Sequence, residues 1–179
     1  PSLLPLPTDF PRPPVAGLRG NSLRLELPAP LSRLVREFSR RSDRTLFMTM
    51  FAAFVALLHR YTNQEDFCIG TGLANRRLKE TEGLLGMIIN TVALRADLSG
   101  DPSFAELLRR VREVTVGAYA NQDLPFDRVI EAIQPARSLS YSPLFQVAFS
   151  FHDAPLVEVD LPELDINIKE ALGNQSAKF

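Results

Sequence analysis

The sequence predicts an α/β fold, a mixed β-sheet packed by helices, and three observations predict it. Apolar residues recur at three- and four-residue spacing in some stretches and at two-residue spacing in others. The two kinds of stretch alternate along the chain, which favours strands interleaved with paired helices over a bundle or an all-β barrel. An apolar share of 45% and a charged share of 23% over 179 residues supply enough material for a sizeable core.

Taken in order, residues 1–20 form a connector and residues 21–179 the folded unit. Eight of the fourteen prolines fall in the first thirty residues, and their fixed φ and missing amide donors favour extended backbone. Leu3, Leu4, Leu6 and Phe10 are too apolar for a solvated linker, so the connector needs a surface to lie against. Leu23, Leu25 and Leu27 alternate with Arg24 and Glu26, the pattern of a half-buried strand. Pro30 suits a first helical turn, and Leu31, Leu34, Val35 and Phe38 carry that helix to about Ser42. Thr45 is placed to cap a second helix through Phe51, Val55 and Leu58 to Tyr61, apolar on most sides and therefore central.

Phe67 to Thr71 reads as a buried strand running into a loop at Gly70 and Gly72. Met87 to Leu94 gives another, interrupted by the polar pair Asn90-Thr91. Beyond the turn at residues 99–102, Phe104, Leu107, Leu108, Val111 and Val114 line one side of a helix. Asp123 is placed to cap a short helix with Pro125 close behind and Phe126, Val129, Ile130 and Ile133 facing inward. Strands are expected at Leu144 to Phe151, near Leu156 to Leu161 and near Leu164 to Lys169. Both chain ends read as cut: Pro1 begins inside a linker-like run, and Lys178-Phe179 ends in a pattern that still looks structured.

Charge and composition exclude several partners. A formal charge of −1 offers no electrostatic reason for nucleic acid or an anionic membrane, and Arg40, Arg41 and Arg44 read as a solvated helix end. No apolar run approaches the roughly 18–20 residues of a membrane span, and no basic segment leads into an apolar core as in a signal peptide. The single Cys68, between Phe67 and Ile69, reads as a small core residue in a reducing, cytoplasmic setting.

The inventory of reactive groups is short. Base catalysis near neutral pH usually falls to histidine, and His59 and His152 are the two in the sequence. His59 lies at a helix end and His152 at a strand end, positions that suit structural roles. Neither belongs to a metal-ligand spacing, and no nucleophile elbow, phosphate loop or dinucleotide fingerprint is present. By this inventory the chain is a binding or scaffolding piece with no metal site and no self-contained catalytic machinery.

Three segments, read in order, resemble the later signature motifs of nonribosomal peptide synthetase condensation domains. Leu85-Gly86-Met87-Ile88-Ile89-Asn90-Thr91-Val92-Ala93-Leu94-Arg95 is similar to the family's Ile-Gly-x-Phe-Val-Asn-Thr motif with its trailing arginine. Asn121-Gln122-Asp123-Leu124-Pro125-Phe126-Asp127 is similar to His-Gln-Asp-x-Pro-Phe-Glu, and Arg137 to Val147, with Pro143 inside it, to Arg-x-x-Ser-Arg-Asn-Pro-Leu-Phe-Gln-Val. The phrases Leu6 to Pro13, Leu58 to Tyr61 and Gly70 to Arg76 fit as well. Departures fall at Asn121, at Met87-Ile88-Ile89, where an aromatic-bearing run is usual, and at Tyr141-Ser142, where Arg-Asn is common.

The resemblance implies a chloramphenicol acetyltransferase-like fold in which two α/β halves form a V, this chain being the C-terminal half. It implies a tunnel between the halves, entered by the 4′-phosphopantetheine arms of donor and acceptor carrier proteins, where an amine attacks a thioester to form an amide. The motif His-His-x-x-x-Asp-Gly belongs to the other half and is absent here, so the chain alone is expected to be inactive and to bind no cofactor directly. Met87, Asn90 and Thr91 are implied as tunnel wall; the residue-level alternative is that Asn90 and Thr91 satisfy neighbouring backbone. Arg76 is implied as the arginine that pairs with the motif aspartate across the halves, or else is a surface loop-end arginine. Gly86, Arg95, Gln122, Asp123, Pro125, Phe126 and Pro143 are implied as structural motif positions.

Expected partners are the N-terminal half, the two carrier proteins and a neighbouring adenylation domain, with self-association of the piece through an exposed apolar face. The alternative reading is a non-catalytic condensation-like module that recruits a carrier protein or partner enzyme. The related epimerisation domain fits residues 121–127 less well.

Overall fold

A computed structural model of the chain describes residues 3–74, 76, 79–152 and 175–177. The described elements are α1 (Ala29–Arg41), α2 (Leu46–Thr62), β1 (Asp66–Leu73), α3 (Lys79–Glu82), β2 (Asn90–Asp97), α4 (Phe104–Ala120) and α5 (Phe126–Ile133). The strands expected near 156–161 and 164–169 lie outside the described residues.

The core is built from α2, β1, β2 and α4. Thr45 accepts a hydrogen bond from the Met48 amide at 3.2 Å and so caps α2 as its sequence position suggested. Met48, Phe51, Ala52, Val55 and Leu58 of α2 are buried against Phe67 and Ile69 of β1, Leu94 and Ala96 of β2, and Leu107, Leu108 and Val111 of α4. β1 and β2 pair antiparallel, with Cys68 opposite Arg95 and Leu73 opposite Asn90. One parallel bridge, Gly70 to Ala148, attaches the chain after α5 to the other edge of β1. Its bonds run from the Gly70 amide to the Val147 carbonyl at 2.9 Å and from the Phe149 amide to the Gly70 carbonyl at 2.8 Å.

α4 starts at a Ser103 cap that accepts from the Glu106 amide at 3.3 Å. Its first turn is held by Glu106, whose carboxylate takes hydrogen bonds from Arg109 at 2.7 and 2.8 Å and from Arg110 at 3.1 Å. These guanidinium contacts pull the Glu106 carboxyl down to about 2 from its ordinary 4.5. The connector does lie on the body: the Leu4 amide donates to Gln146 Oε1 at 2.9 Å and Leu4 is buried, whereas Phe10 remains 82% exposed.

Several expectations are corrected. Residues 22–27 form no strand: Leu23 and Leu25 are 85% and 81% exposed, and alternation alone cannot make a strand without a ladder partner. β2 begins at Asn90 rather than Met87, because Gly86 turns the chain at φ +148°, a value open to glycine, and Met87 to Ile89 are still an approach segment. Residues 144–151 make the single bridge described above and no extended strand. α5 begins one residue after Pro125, which occupies the cap position without a side-chain cap bond, so Asp123 is not the cap. α5 turns Phe126, Val129 and Ile130 inward as half-buried side chains, whereas Ile133 stays exposed and no α5 side chain is fully buried.

Candidate functional site

The three motif-like segments meet at one corner of the molecule. Leu73, the last residue of β1, pairs with Asn90, the first of β2, and the Asn90 side chain reaches across to the turn between α4 and α5. Its amide nitrogen donates to the carbonyl of Gln122 at 2.6 Å and to that of Leu124 at 2.8 Å, while its oxygen accepts from the Thr91 amide at 2.9 Å. Both amide hydrogens are thereby committed to backbone carbonyls. Gln122 itself donates to the Tyr119 carbonyl at 2.9 Å, closing the end of α4.

Phe126, one residue beyond Pro125, packs its ring on Phe145 at a centroid distance of 5.4 Å. Phe145 is 2% exposed and lies so close to the backbone of Gly70 that a Cβ there would overlap the ring. Pro143 contributes its carbonyl to the Phe145 amide at 2.9 Å. A chain of direct contacts therefore runs from the β2 entrance through the α4–α5 turn to Gly70 and the segment after α5.

Above this corner stands an apolar rim. Leu84, Leu85, Met87 and Ile89 are 53, 102, 90 and 62% exposed, and Leu124 and Ile133 on the neighbouring turn and helix are 52 and 57% exposed. Arg76 holds the rim's base, donating to the carbonyls of Thr81, of Leu84 at 2.9 Å and of Gly86 at 3.2 Å. Arg95 lies on the outer face of β2 and grips Asp66 with two bonds of 2.8 and 2.7 Å. That hydrogen-bonded guanidinium holds the Asp66 carboxyl below its ordinary 3.8, against a smaller opposing effect of burial.

The histidines stand apart from this corner. His59 Nδ1 bonds the Gln64 carbonyl at 2.8 Å, closing the turn after α2, and its ring lines an open surface cleft with Asn63, Asp101 and Phe104. His152 is exposed, with Nε2 3.2 Å from Ser150 Oγ. Burial pushes the Cys68 thiol up, the opposite of what a nucleophile needs. Among the described residues no cluster of His, Cys, Asp or Glu could hold a metal ion, and no single helix is long and apolar enough to cross a membrane.

The rim, the asparagine clamp and the motif order all lie within residues 1–176, and those residues match the family model described as Condensation domain. The chain belongs to the condensation-domain family. Malpinin synthetase of Mortierella alpina is 44% identical to this condensation-family chain over 179 residues, covering 100% of the chain and 2% of that protein. Phosphinothricin tripeptide synthetase PhsC of Streptomyces viridochromogenes is 42% identical, covering all of the chain and 16% of that protein. The chain thus spans a small fraction of the length of the curated relatives it matches.

Among solved structures, the four-domain nonribosomal peptide synthetase holo-AB3403, bound to AMP and glycine, superposes with a TM-score of 0.80 at 29% identity, covering 82% of this chain and 11% of that one. The X-domain from teicoplanin biosynthesis gives 0.75 at 32% identity, covering 80% of this chain and 32% of that one. The condensation-family fold is chloramphenicol acetyltransferase-like, and the described helices and small antiparallel sheet are part of it.

Sequence reasoning had the motif residues and missed the contacts that join them. Nothing local in the sequence tells that Asn90 reaches carbonyls 32 and 34 positions away. The Gly70-Thr71-Gly72 spacing was the available signal for a close ring-on-backbone contact.

Proposed function

We propose that the chain is the C-terminal half of a condensation domain and forms one wall of the tunnel in which carrier-bound aminoacyl or peptidyl thioesters are joined by an amide bond. The observation that carries this reading is the apolar rim of Leu84, Leu85, Met87 and Ile89, exposed at the corner where the family motifs converge. So large an apolar surface normally meets a partner, and the fitted region amounts to only 32% of the teicoplanin X-domain chain. In this reading Met87 and Thr91 face the tunnel, and Asn90 shapes its wall by holding the turn at residues 122–124. Arg76 sets the rim loop through the carbonyls of Thr81, Leu84 and Gly86, and in this reading it is also the arginine that pairs with the motif aspartate of the other half. In this reading the proton-handling histidine pair lies on that half, a reading supported by His59 and His152 each serving a local bond.

Donor and acceptor carrier proteins would deliver their phosphopantetheine-bound substrates to this tunnel, with an adenylation domain adjacent on the same polypeptide, in the cytoplasm. The test is to purify the chain, purify the matching N-terminal half, and assay amide formation between loaded carrier proteins. Turnover is expected from the mixture and from neither part alone. A stable, folded mixture without turnover contradicts the proposal.

A second reading has one observation in its favour: the similar X-domain of teicoplanin biosynthesis is also solved in complex with OxyB. In that reading the rim belongs to a non-catalytic module that recruits a partner enzyme. The presence of His-His-x-x-x-Asp-Gly in the other half decides between the two.

A further inference from the structure

α1 and α2 cross at 108°, and two adjoining surface clefts of different chemistry, which share Arg36 and Leu46, lie along them and form a shallow groove. One face of α1 lines it through residues three and four apart, Ser32, Val35, Arg36, Ser39 and Arg40, opposite Leu46 and Met50 of α2. Ser39 anchors the floor by bonding the Val35 carbonyl and Thr49 Oγ1, both at 2.8 Å. At one end Leu27, Phe151 and His152 complete an apolar trough. At the other, Arg36, Arg40 and Arg44 crowd around Ser39 and Leu46.

Among the described residues nothing neutralises the cationic end. Arg36 and Arg40 make no ion pair among the described residues; Glu37 is engaged by Arg41, and the Asp43 carboxylate, 99% exposed, lies 3.9 Å from Arg44. The Arg44 side chain is only 20% exposed, and its Nε is buried without a hydrogen-bond partner. The N-terminus of α2 adds positive potential at the same place. Three arginines that line one cleft beside an apolar trough complement a ligand that is both acidic and apolar.

We propose that this groove docks an acidic amphipathic helix carried by another domain of the same synthetase. Leu27, Val35, Leu46, Met50 and Phe151 would accept apolar anchors at helical spacing, and flanking carboxylates would meet Arg36, Arg40 and Arg44. The chain's overall charge of −1 does not suit a nucleic acid, which would call for basic residues over a wider surface. The matched synthetases supply abundant tethered partners, since the chain covers only 2 to 16% of their length. The proposal rests on the family assignment and is independent of which half carries the catalytic residues.

The experiment places benzoylphenylalanine at Ser32 in the intact synthetase and maps photo-cross-links by peptide mass spectrometry, with condensation activity recorded separately on the same preparation. Cross-links are expected on one helix with Asp or Glu flanking apolar residues. Their yield should fall by at least roughly tenfold in R36E/R40E and recover when those acidic residues are changed to Lys. Circular dichroism checks folding, and R36Q/R40Q replaces the reversal pair if that pair unfolds. Absence of cross-links, cross-links to a neutral or basic segment or to this chain's own condensation domain, or a yield indifferent to the arginine changes would overturn the proposal.

Discussion

At the scale of single residues, Asn90 and Gly70 carry the candidate site. Asn90→Ala leaves the carbonyls of Gln122 and Leu124 to water, at a cost of about 0.5–1.5 kcal/mol in urea unfolding. Asn90→Asp should be worse at neutral pH than Asn90→Ala, since a carboxylate would face two carbonyl oxygens, and should partly recover in acid as it gains a proton. Gly70→Ala drives a methyl into the buried Phe145 ring and is expected to destabilise by about 1–3 kcal/mol. Trimming the ring with Phe145→Leu should make the double variant less unstable than the sum of the two changes. Asp66 and Glu106 both titrate below their ordinary values of 3.8 and 4.5. Their stabilising contribution is therefore complete above those values and fades as pH falls below them, through about pH 2 for Glu106. Comparing urea midpoints at pH 6 and pH 2 should show a smaller drop in Asp66→Asn/Glu106→Gln than in the parent.

At the scale of elements, the capped and periodic segments were legible and the partner-dependent ones were not. Thr45, directly ahead of an apolar run, marked the start of α2, and its hydroxyl bonds the Met48 amide; Thr45→Ala should cost about 1 kcal/mol in thermal or urea melts. Phe104 to Val114 announced α4 because its stripe packs on the sheet and α2. Residues 22–27 looked like a strand on the same kind of evidence, yet strand formation depends on a neighbour that local pattern does not name. The start of β2 was displaced because Met87 to Ile89 are apolar for a reason other than the core. α5 is partly the same case: its periodicity announced a helix, and among the described residues its apolar side is only half-covered, with Ile133 left exposed. Apolar pattern reports what must be buried, and it is silent on whether the covering surface belongs to this chain.

At the scale of the whole molecule, the exposed rim at 84–89 and the exposed Ile133 of α5 are the surface through which the proposed reading makes the chain one side of an interface. Alone, it should self-associate at micromolar concentration, seen as a mass above 20.0 kDa by light scattering, and Leu85→Glu/Met87→Glu should return it to monomer with little change in melting temperature, because both side chains are 90% or more exposed. In the proposed reading, the motif residues gathered at this corner shape a wall that another half completes. The most direct measurement is amide hydrogen exchange on the chain with and without its N-terminal half. The account predicts slowed exchange concentrated at residues 84–91 and 121–126. Equal exchange there in the two samples, with complex formation verified, would contradict it.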